Sequence, residues 1–499
     1  MMQRRTFLRI TTLGVLSSVV ERTLCAAERQ KERPNIVYIL ADDLGYGDVH
    51  RLNPGNSRIP TPNLDRLASE GMSFTDAHSS SAVCTPTRYG ILTGRYAWRT
   101  RLQKSVLFPG DKPLIAKDRL TVPRLLRRHG YATACIGKWH LGMEWSLKGD
   151  YSQPIIDGPT SHGFDYYFGT DVPNFPPYCF IENDRTVGTP TAKKVKKDLN
   201  GLPGPMLPGW RFDEILPGIT KKAVEYIDQR AADRRPFFLY FALTSPHEPV
   251  APSPRFKGKS GISEIADFIM ETDWAAGEVI RVLDKNGFKE NTLVVFTADN
   301  GHSSYTNLQS LLEHGHKPSA QFRGCKSDIW EGGHRVPFFV RWPGTIKAGS
   351  HSDQLVCLTD LMATCAEIVG AELPDDAGED SVSILPALLG MATKPLREAI
   401  VHHSSNGKFS IRQGKWKLAF CPGSGGYGSP PSDAEAQKKR MPALQLYDLS
   451  QDISEANNVV AKHPEVVDDL TKLLDKYIAD GRSTPGIPQK NDVIVKQRM

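Results

Sequence analysis

Four short runs of uninterrupted apolar residues punctuate the chain, at Asn35–Leu40, Tyr131–Ile136, Pro236–Leu243 and Thr292–Thr297. Each is too short for a core helix and lacks the two-residue alternation of a half-exposed strand. Each therefore predicts a strand buried on both faces. Between them the apolar residues recur every three or four positions, which predicts helices over Thr61–Gly71, Thr121–Gly130, Ile219–Arg230 and Ile262–Lys285. Pro62 and Pro123 stand where a first helical turn accepts proline, and Gly71 and Gly130 supply the stops. Strands and helices in alternation make an α/β fold, a large mostly parallel sheet sandwiched by helices. Each buried run also ends in a polar cluster: Asp42-Asp43, Lys138-Trp139-His140, His247-Glu248 and Asp299-Asn300. Open sheets of this class bind ligands beyond the carboxyl ends of their strands.

From about residue 396 the texture changes. Phe409–Leu418 reads as a hairpin turning near Gly414, Leu444–Leu449 as a further strand, and Pro464–Ile478 as an amphipathic helix. The expected organisation is a large α/β domain over 33–395 and a smaller subdomain over 396–499, an antiparallel sheet plus a helix. Residues 145–213 are irregular, rich in Pro and Gly, with lysines at 193, 194, 196 and 197. A long irregular insertion is expected at the surface or facing a substrate.

The first 27 residues place Arg4-Arg5 before an apolar stretch, Ile10–Val20, and a small-residue site at Ala26-Ala27. This looks like a twin-arginine-type signal peptide, predicting cleavage near Ala27 and a periplasmic or secreted protein. Leu24 stands where a lipoprotein site before Cys25 needs a small residue, so lipidation is not expected. No later apolar run approaches the ~18 residues of a membrane span. The formal charge is +6 over 499 residues, and half of it lies in the leader. The remainder is too small to argue for nucleic acid, so affinity for an anion must come from local placement of charge. Beyond Cys25 and Cys84, six cysteines match no zinc spacing, and sequence alone cannot pair them.

The densest chemistry lies in Ala82-Val83-Cys84-Thr85-Pro86-Thr87-Arg88-Tyr89-Gly90-Ile91-Leu92-Thr93-Gly94. Pro86 suits a first turn, so a helix starting there puts Cys84 at its positive end with Arg88 on the same face. Free backbone N–H groups and a guanidinium together favour an anion. On the two strand ends 42/43 and 299/300, Asp42, Asp43, Asp299 and Asn300 offer four hard oxygen donors. If those strands are neighbours, the donors converge on a calcium or magnesium site.

All thirteen positions of the Cys84 stretch fit the signature of the type I sulfatases, in which the Cys of Cys-x-Pro-x-Arg is oxidised to formylglycine. Gly130–Gly137 with Lys138-Trp139-His140 resembles that family's second signature, and His247 and Lys326 match further family positions. The resemblance, closest to the arylsulfatase A and N-acetylgalactosamine-6-sulfatase type, spans about residues 33 to 480. It implies a sulfatase catalytic domain over 33–395 that cleaves sulfate monoesters, of a sulfated carbohydrate or of an aryl alcohol. Formylglycine (3-oxoalanine) at position 84 would be the nucleophile, with Asp42, Asp43, Asp299, Asn300 and residue 84 around calcium in preference to magnesium. Arg88, Lys138 and Lys326 would grip the sulfate, His247 would act as acid and His140 as base. A formylglycine-generating maturation enzyme is the implied transient partner. His402 and His403 occupy positions where such relatives bring a substrate-side residue. Asn174 stands near where others place a hydroxyl residue, a position with no clear match here. Two other readings stay open on sequence: a phosphonate or phosphate ester hydrolase of the same superfamily, and an exported glycan-binding protein with unmodified Cys84.

Overall fold

The computed structural model describes residues 33–147, 149–198, 201–233 and 235–496. The leader at 1–27 lies outside the described residues.

The elements that position the site come in the following order. The large sheet takes β1 (Asn35–Asp42), β2 (Met72–Phe74), β3 (Ala132–Lys138), β4 (Tyr166–Thr170), β5 (Ile181–Glu182), β6 (Arg185–Thr186), β7 (Phe237–Pro246), β8 (Thr292–Ala298), β9 (Phe338–Arg341) and β10 (Ser350–Ser352). The helices are α1 (Pro62–Glu70), α2 (Cys84–Thr93), α3 (Val122–Arg128), α4 (Ile215–Asp233), α5 (Glu264–Lys285) and α6 (Leu361–Val369). Sheet order is β10-β2-β9-β8-β1-β7-β3-β4-β5-β6. The five central strands, β8-β1-β7-β3-β4, are all parallel. Their side chains are buried on both faces, as their continuous apolar composition requires. Helices α1, α4 and α5 form one layer against the sheet, and α2, α3 and α6 form another.

All four apolar runs are central strands. The short strands β2, β4, β5, β6, β9 and β10 escape sequence reading, β4–β6 within the stretch read as irregular, because two to five residues cannot display a period. Two helices begin earlier than their prolines suggest. Helix α2 starts at Cys84, not Pro86, and α4 starts at Ile215 rather than Ile219. Pro86 and Pro217 are third in their helices, still within the first turn, where the N–H they lack has no intrahelical acceptor.

Residues beyond 396 build a separate antiparallel sheet, β11 (Ile400–His403), β12 (Phe409–Gln413), β13 (Trp416–Ala419) and β14 (Gln445–Asp448), with α7 (Pro464–Ala479) packed on it. Ile400, Ile411, Leu418, Leu446, Leu470 and Leu474 fill the space between. Gly414, at φ +54°, makes the β12–β13 turn where the sequence places it. The seven described cysteines are all free and buried, Cys135 among the apolar side chains of the main sheet.

Candidate active site

Four neighbouring strands, β8, β1, β7 and β3, deliver their carboxyl ends to one place. They bring Asp299 and Asn300, Asp42 and Asp43, His247, and Lys138 with His140. A bulge in the β1–β7 ladder falls at Asp42, re-aiming the strand end. Asp43 (φ +65°), His140 (φ +55°) and Ser327 (φ +83°), beside Lys326, all hold left-handed backbone. Such strain in non-glycine residues persists where the surrounding structure imposes it, and it gathers at functional sites. Gly137 is imposed differently: at φ +114°, a Cβ there would lie 1.8 Å from the Ala242 carbonyl oxygen. Only glycine lets β3 run against β7 on its way to Lys138.

Across this floor lies the start of α2. Cys84 Sγ is 3.5 Å from Asp42 Oδ1, and ligand atoms of Asp42, Asp43, Cys84 and His247 all lie within 4.8 Å of one another. Three buried cations answer three buried carboxylates. Lys138 Nζ donates to Asp42 at 2.6 Å, Lys326 Nζ to Asp43 at 2.6 Å, and Arg88 Nη2 to Asp299 at 2.7 Å. Arg88 also reaches the Lys138 carbonyl at 3.3 Å, so one helical turn ties Cys84 to two strand ends. Burial works against ionising Asp42, but Lys138, His247 and Arg88 outweigh it and hold the carboxyl far below the usual range. Asp299 goes the other way, to about 6, pushed by burial and then by the Asp42 charge. Burial likewise raises the Cys84 thiol well above its ordinary value, so an unmodified Cys84 is not a thiolate.

The donor set suits a hard divalent cation. Asn300 Nδ2 donates to Asp43 Oδ1 at 2.8 Å and to the Gly301 carbonyl, which leaves Asn300 Oδ1 buried without a partner. An unpartnered amide oxygen beside three crowded carboxylates is what an oxygen-seeking ion would satisfy.

The two site histidines have defined tautomers. His140 Nε2–H donates to the Leu107 carbonyl at 3.1 Å, leaving Nδ1 buried, bare and free to accept a proton. His247 Nδ1–H donates to the Glu248 carbonyl at 2.6 Å, leaving Nε2 facing Asp43 at 3.8 Å. Burial and then Lys326 push His247 down to about 4.

The structure brings together Asp42, Asp43, Cys84, Arg88, Lys138, His247, Asp299, Asn300 and Lys326. His140 adjoins this cluster at the end of β3, and Asn174, His402 and His403 are held in other contacts. Asn174 presents its carbonyl to Tyr178 and Leu202, keeps Oδ1 unpartnered, and precedes Phe175, whose ring meets His140 edge to face at 5.9 Å. His402 and His403 lie on β11 at 0% and 3% exposure, inside the packing rather than on solvent. His402 stacks on His334 with ring centroids 3.7 Å apart and planes 12° from parallel. His78 Nδ1 approaches His334 Nδ1 at 3.0 Å. The His78 ring is tilted by 40° and 41° to the other two, and nitrogens of all three lie within 4.8 Å of one another. Replacing His402 with Ala is expected to cost about 2–4 kcal/mol in urea unfolding while kcat/KM on an aryl sulfate stays within about threefold. A tenfold kinetic loss at unchanged stability would instead make His402 a substrate contact.

Sequence reading missed the supports. Asp48 accepts from His302 Nδ1 at 3.0 Å and His316 Nε2 at 2.8 Å, tying the loop after β1 to the loop after β8. Burial opposes the ionisation of Asp48, yet the two histidines bring it to about 2. Asp171 Oδ1 accepts the His140 backbone N–H at 3.1 Å. Only Asp48 leaves a trace in sequence, in Gly45-Tyr46-Gly47-Asp48, and its partners are more than 250 residues away.

The family model for Sulfatase matches residues 34–371. An N-acetylgalactosamine-6-O-sulfatase of Bacteroides thetaiotaomicron is 36% identical, over 93% of this chain and 98% of its own. Human arylsulfatase A is 33% identical, over 88% of this chain and 87% of its own. A solved structure from work on glycosaminoglycan metabolism by Bacteroides thetaiotaomicron has a TM-score of 0.79 at 34% identity, covering 89% of this chain and 99% of its own. Coverage of this extent takes in both the α/β sheet and the smaller antiparallel sheet, so the chain belongs to the sulfatase family and is a sulfuric ester hydrolase.

Proposed function

We propose that the protein removes sulfate from a sulfated carbohydrate, with Cys84 oxidised to formylglycine and calcium held by Asp42, Asp43, Asp299 and Asn300. The observation that carries this reading is the meeting of position 84 with paired carboxylates and cations at the ends of four adjacent strands. The relative that acts on N-acetylgalactosamine 6-sulfate, by its name, makes a sugar ester the first substrate to try.

Formylglycine supplies a hydrated aldehyde, one hydroxyl to attack sulfur and a second from which the aldehyde re-forms. A divalent ion held by Asp42, Asp43, Asp299 and Asn300 would supply positive charge and lower the pKa of a hydroxyl at position 84. The side chains of this chain do the rest. Arg88, Lys138 and Lys326 bind the sulfate oxygens and the charge that builds on them. His247 Nε2, charged once an anion sits beside it, delivers a proton to the departing oxygen. His140 Nδ1 takes the proton released at position 84 as sulfate leaves, its ring fixed by the Leu107 carbonyl. Acid catalysis alone gives ~10²–10⁴-fold. Sulfate esters need far more, so fixed cations and the covalent route carry most of the acceleration.

No helix among the described residues is long and apolar enough to cross a membrane. Residues 1–27 direct export, and Cys84 is oxidised by the maturation enzyme before α2 is buried. Mass spectrometry of the peptide spanning Cys84 tests the first step, since formylglycine lacks one sulfur and two hydrogens and gains one oxygen. Matched aryl sulfate and aryl phosphate test the second, with kcat/KM expected to favour sulfate at least 100-fold. An unmodified Cys84 in active protein, or a preference for phosphate, overturns the reading.

A further inference from the structure

A cavity of about 390 Å³ lies beside His140, outside the cluster of charges around Cys84. Its walls come from three segments: Phe108 and Lys112, Trp145 and Tyr151, and Asp171 with Pro176. Two of these walls also hold the catalytic side. Asp171 accepts the His140 backbone N–H at 3.1 Å. Leu107, next to Phe108, accepts from His140 Nε2 and gives its own N–H to Thr85 Oγ1 at 3.2 Å, one residue from Cys84. These contacts set the cavity next to the side of the site that holds His140.

The lining has a chemical character. Trp145 and Tyr151 meet edge to face with ring centroids 5.0 Å apart. Phe108 lies on Phe175 at 5.9 Å and is still 53% exposed. Aromatic faces left open in a concavity offer stacking surface to the C–H face of a sugar ring. The volume sits at the lower end of the ~300–1,000 Å³ of small-ligand pockets, so it suits one or two rings and no long chain. Among the described lining residues Asp111, Glu144 and Asp171 outnumber Lys112, an acidic balance. A second sulfate or a uronate would meet like charge there, whereas carboxylates accept hydrogen bonds from sugar hydroxyls.

We infer that this cavity is a subsite for the uncharged pyranose next to the sulfated unit, which makes the enzyme an oligosaccharide sulfatase that reads its substrate's neighbour. The inference rests on the carbohydrate reading above and adds to it the identity of the adjoining ring.

The test uses the full mature enzyme, Trp145→Ala and Tyr151→Ala, with Glu144→Gln as a variant that keeps the aromatic lining. Four probes are compared: 4-nitrophenyl sulfate, N-acetylgalactosamine 6-sulfate, and the same sulfated unit linked to galactose or to glucuronic acid. Wild type is expected to prefer the galactose-linked probe over the monosaccharide by roughly tenfold or more, and Trp145→Ala to lose that preference. The aryl and monosaccharide rates should stay within about threefold, which a merely structural defect would not allow. Glu144→Gln should raise kcat/KM selectively on the glucuronate-linked probe. Equal loss on all four probes in both aromatic variants, or no loss on the galactose-linked probe, overturns the subsite while the sulfatase reading stands. Hydrolysis of the aryl ester alone overturns the carbohydrate reading and the subsite with it.

Discussion

Cys84→Ala is expected to lower kcat/KM on 4-methylumbelliferyl sulfate by about 10⁵–10⁶-fold, the scale on which removing a covalent nucleophile disables an enzyme. The fold should survive almost untouched. Cys84 is buried, but its thiol makes a single weak polar contact, to Asp42 at 3.5 Å, so the change removes little packing. The N-terminal turn of α2, Arg88 and the cations remain. Binding should therefore outlast turnover, and inorganic sulfate should still inhibit whatever residual hydrolysis persists. The same variant separates the two meanings of position 84. As a thiol it is held protonated by burial. Its importance lies in what it becomes. An alanine variant within 100-fold of wild type would end the proposal, because the reaction would then need another nucleophile.

Much of this site could be read before any coordinates, and the reason is topological. Four apolar runs could only be doubly buried strands, and parallel connection puts all their carboxyl ends on one edge of the sheet. Polar residues after each run are then forced together, whatever their separation in sequence. Asp42 and Asp299 lie on neighbouring strands because β1 and β8 pair from Asn35 with Thr292 to Ala41 with Ala298. Cys84 and Arg88 were legible for a different reason, as one turn of helix fixes their common face. The illegible parts are those that no local period encodes. His402 and His403 stand where relatives bring a substrate-side residue, yet His402 is stacked within a buried ring cluster, because β11 runs at 0–3% exposure. In the same way the Asp48 pairing with His302 and His316, and the Asp171 hold on His140, join loops that only the fold brings within reach.

Asp42→Ala is expected to fail in two measurable ways at once. Lys138 is wholly buried, with the Asp42 carboxylate 2.6 Å from its Nζ. Removing one member of such a pair leaves a buried charge uncompensated, a loss of about 3–5 kcal/mol in unfolding by urea. Activity should fall by at least ~10³-fold, since one substitution removes a proposed cation ligand and frees Lys138 from its position. The ion-dependent arm carries more information than either loss. Asp42, Asp43 and Asp299 balance Lys138, Lys326 and Arg88, so the cluster alone presents no excess positive charge to a sulfate. A divalent ion, if held by Asp42, Asp43 and Asp299, would shift that balance and leave Lys138, Lys326 and Arg88 available to the substrate. Calcium at about 100 times its Kd should stabilise the wild type by ~2.7 kcal/mol. Asp42→Ala should show a small fraction of that shift, magnesium should do less than calcium on the wild type, and chelator should reverse both. Equal stabilisation of wild type and Asp42→Ala would place the ion elsewhere, and the three carboxylates would then be partners of the cations alone.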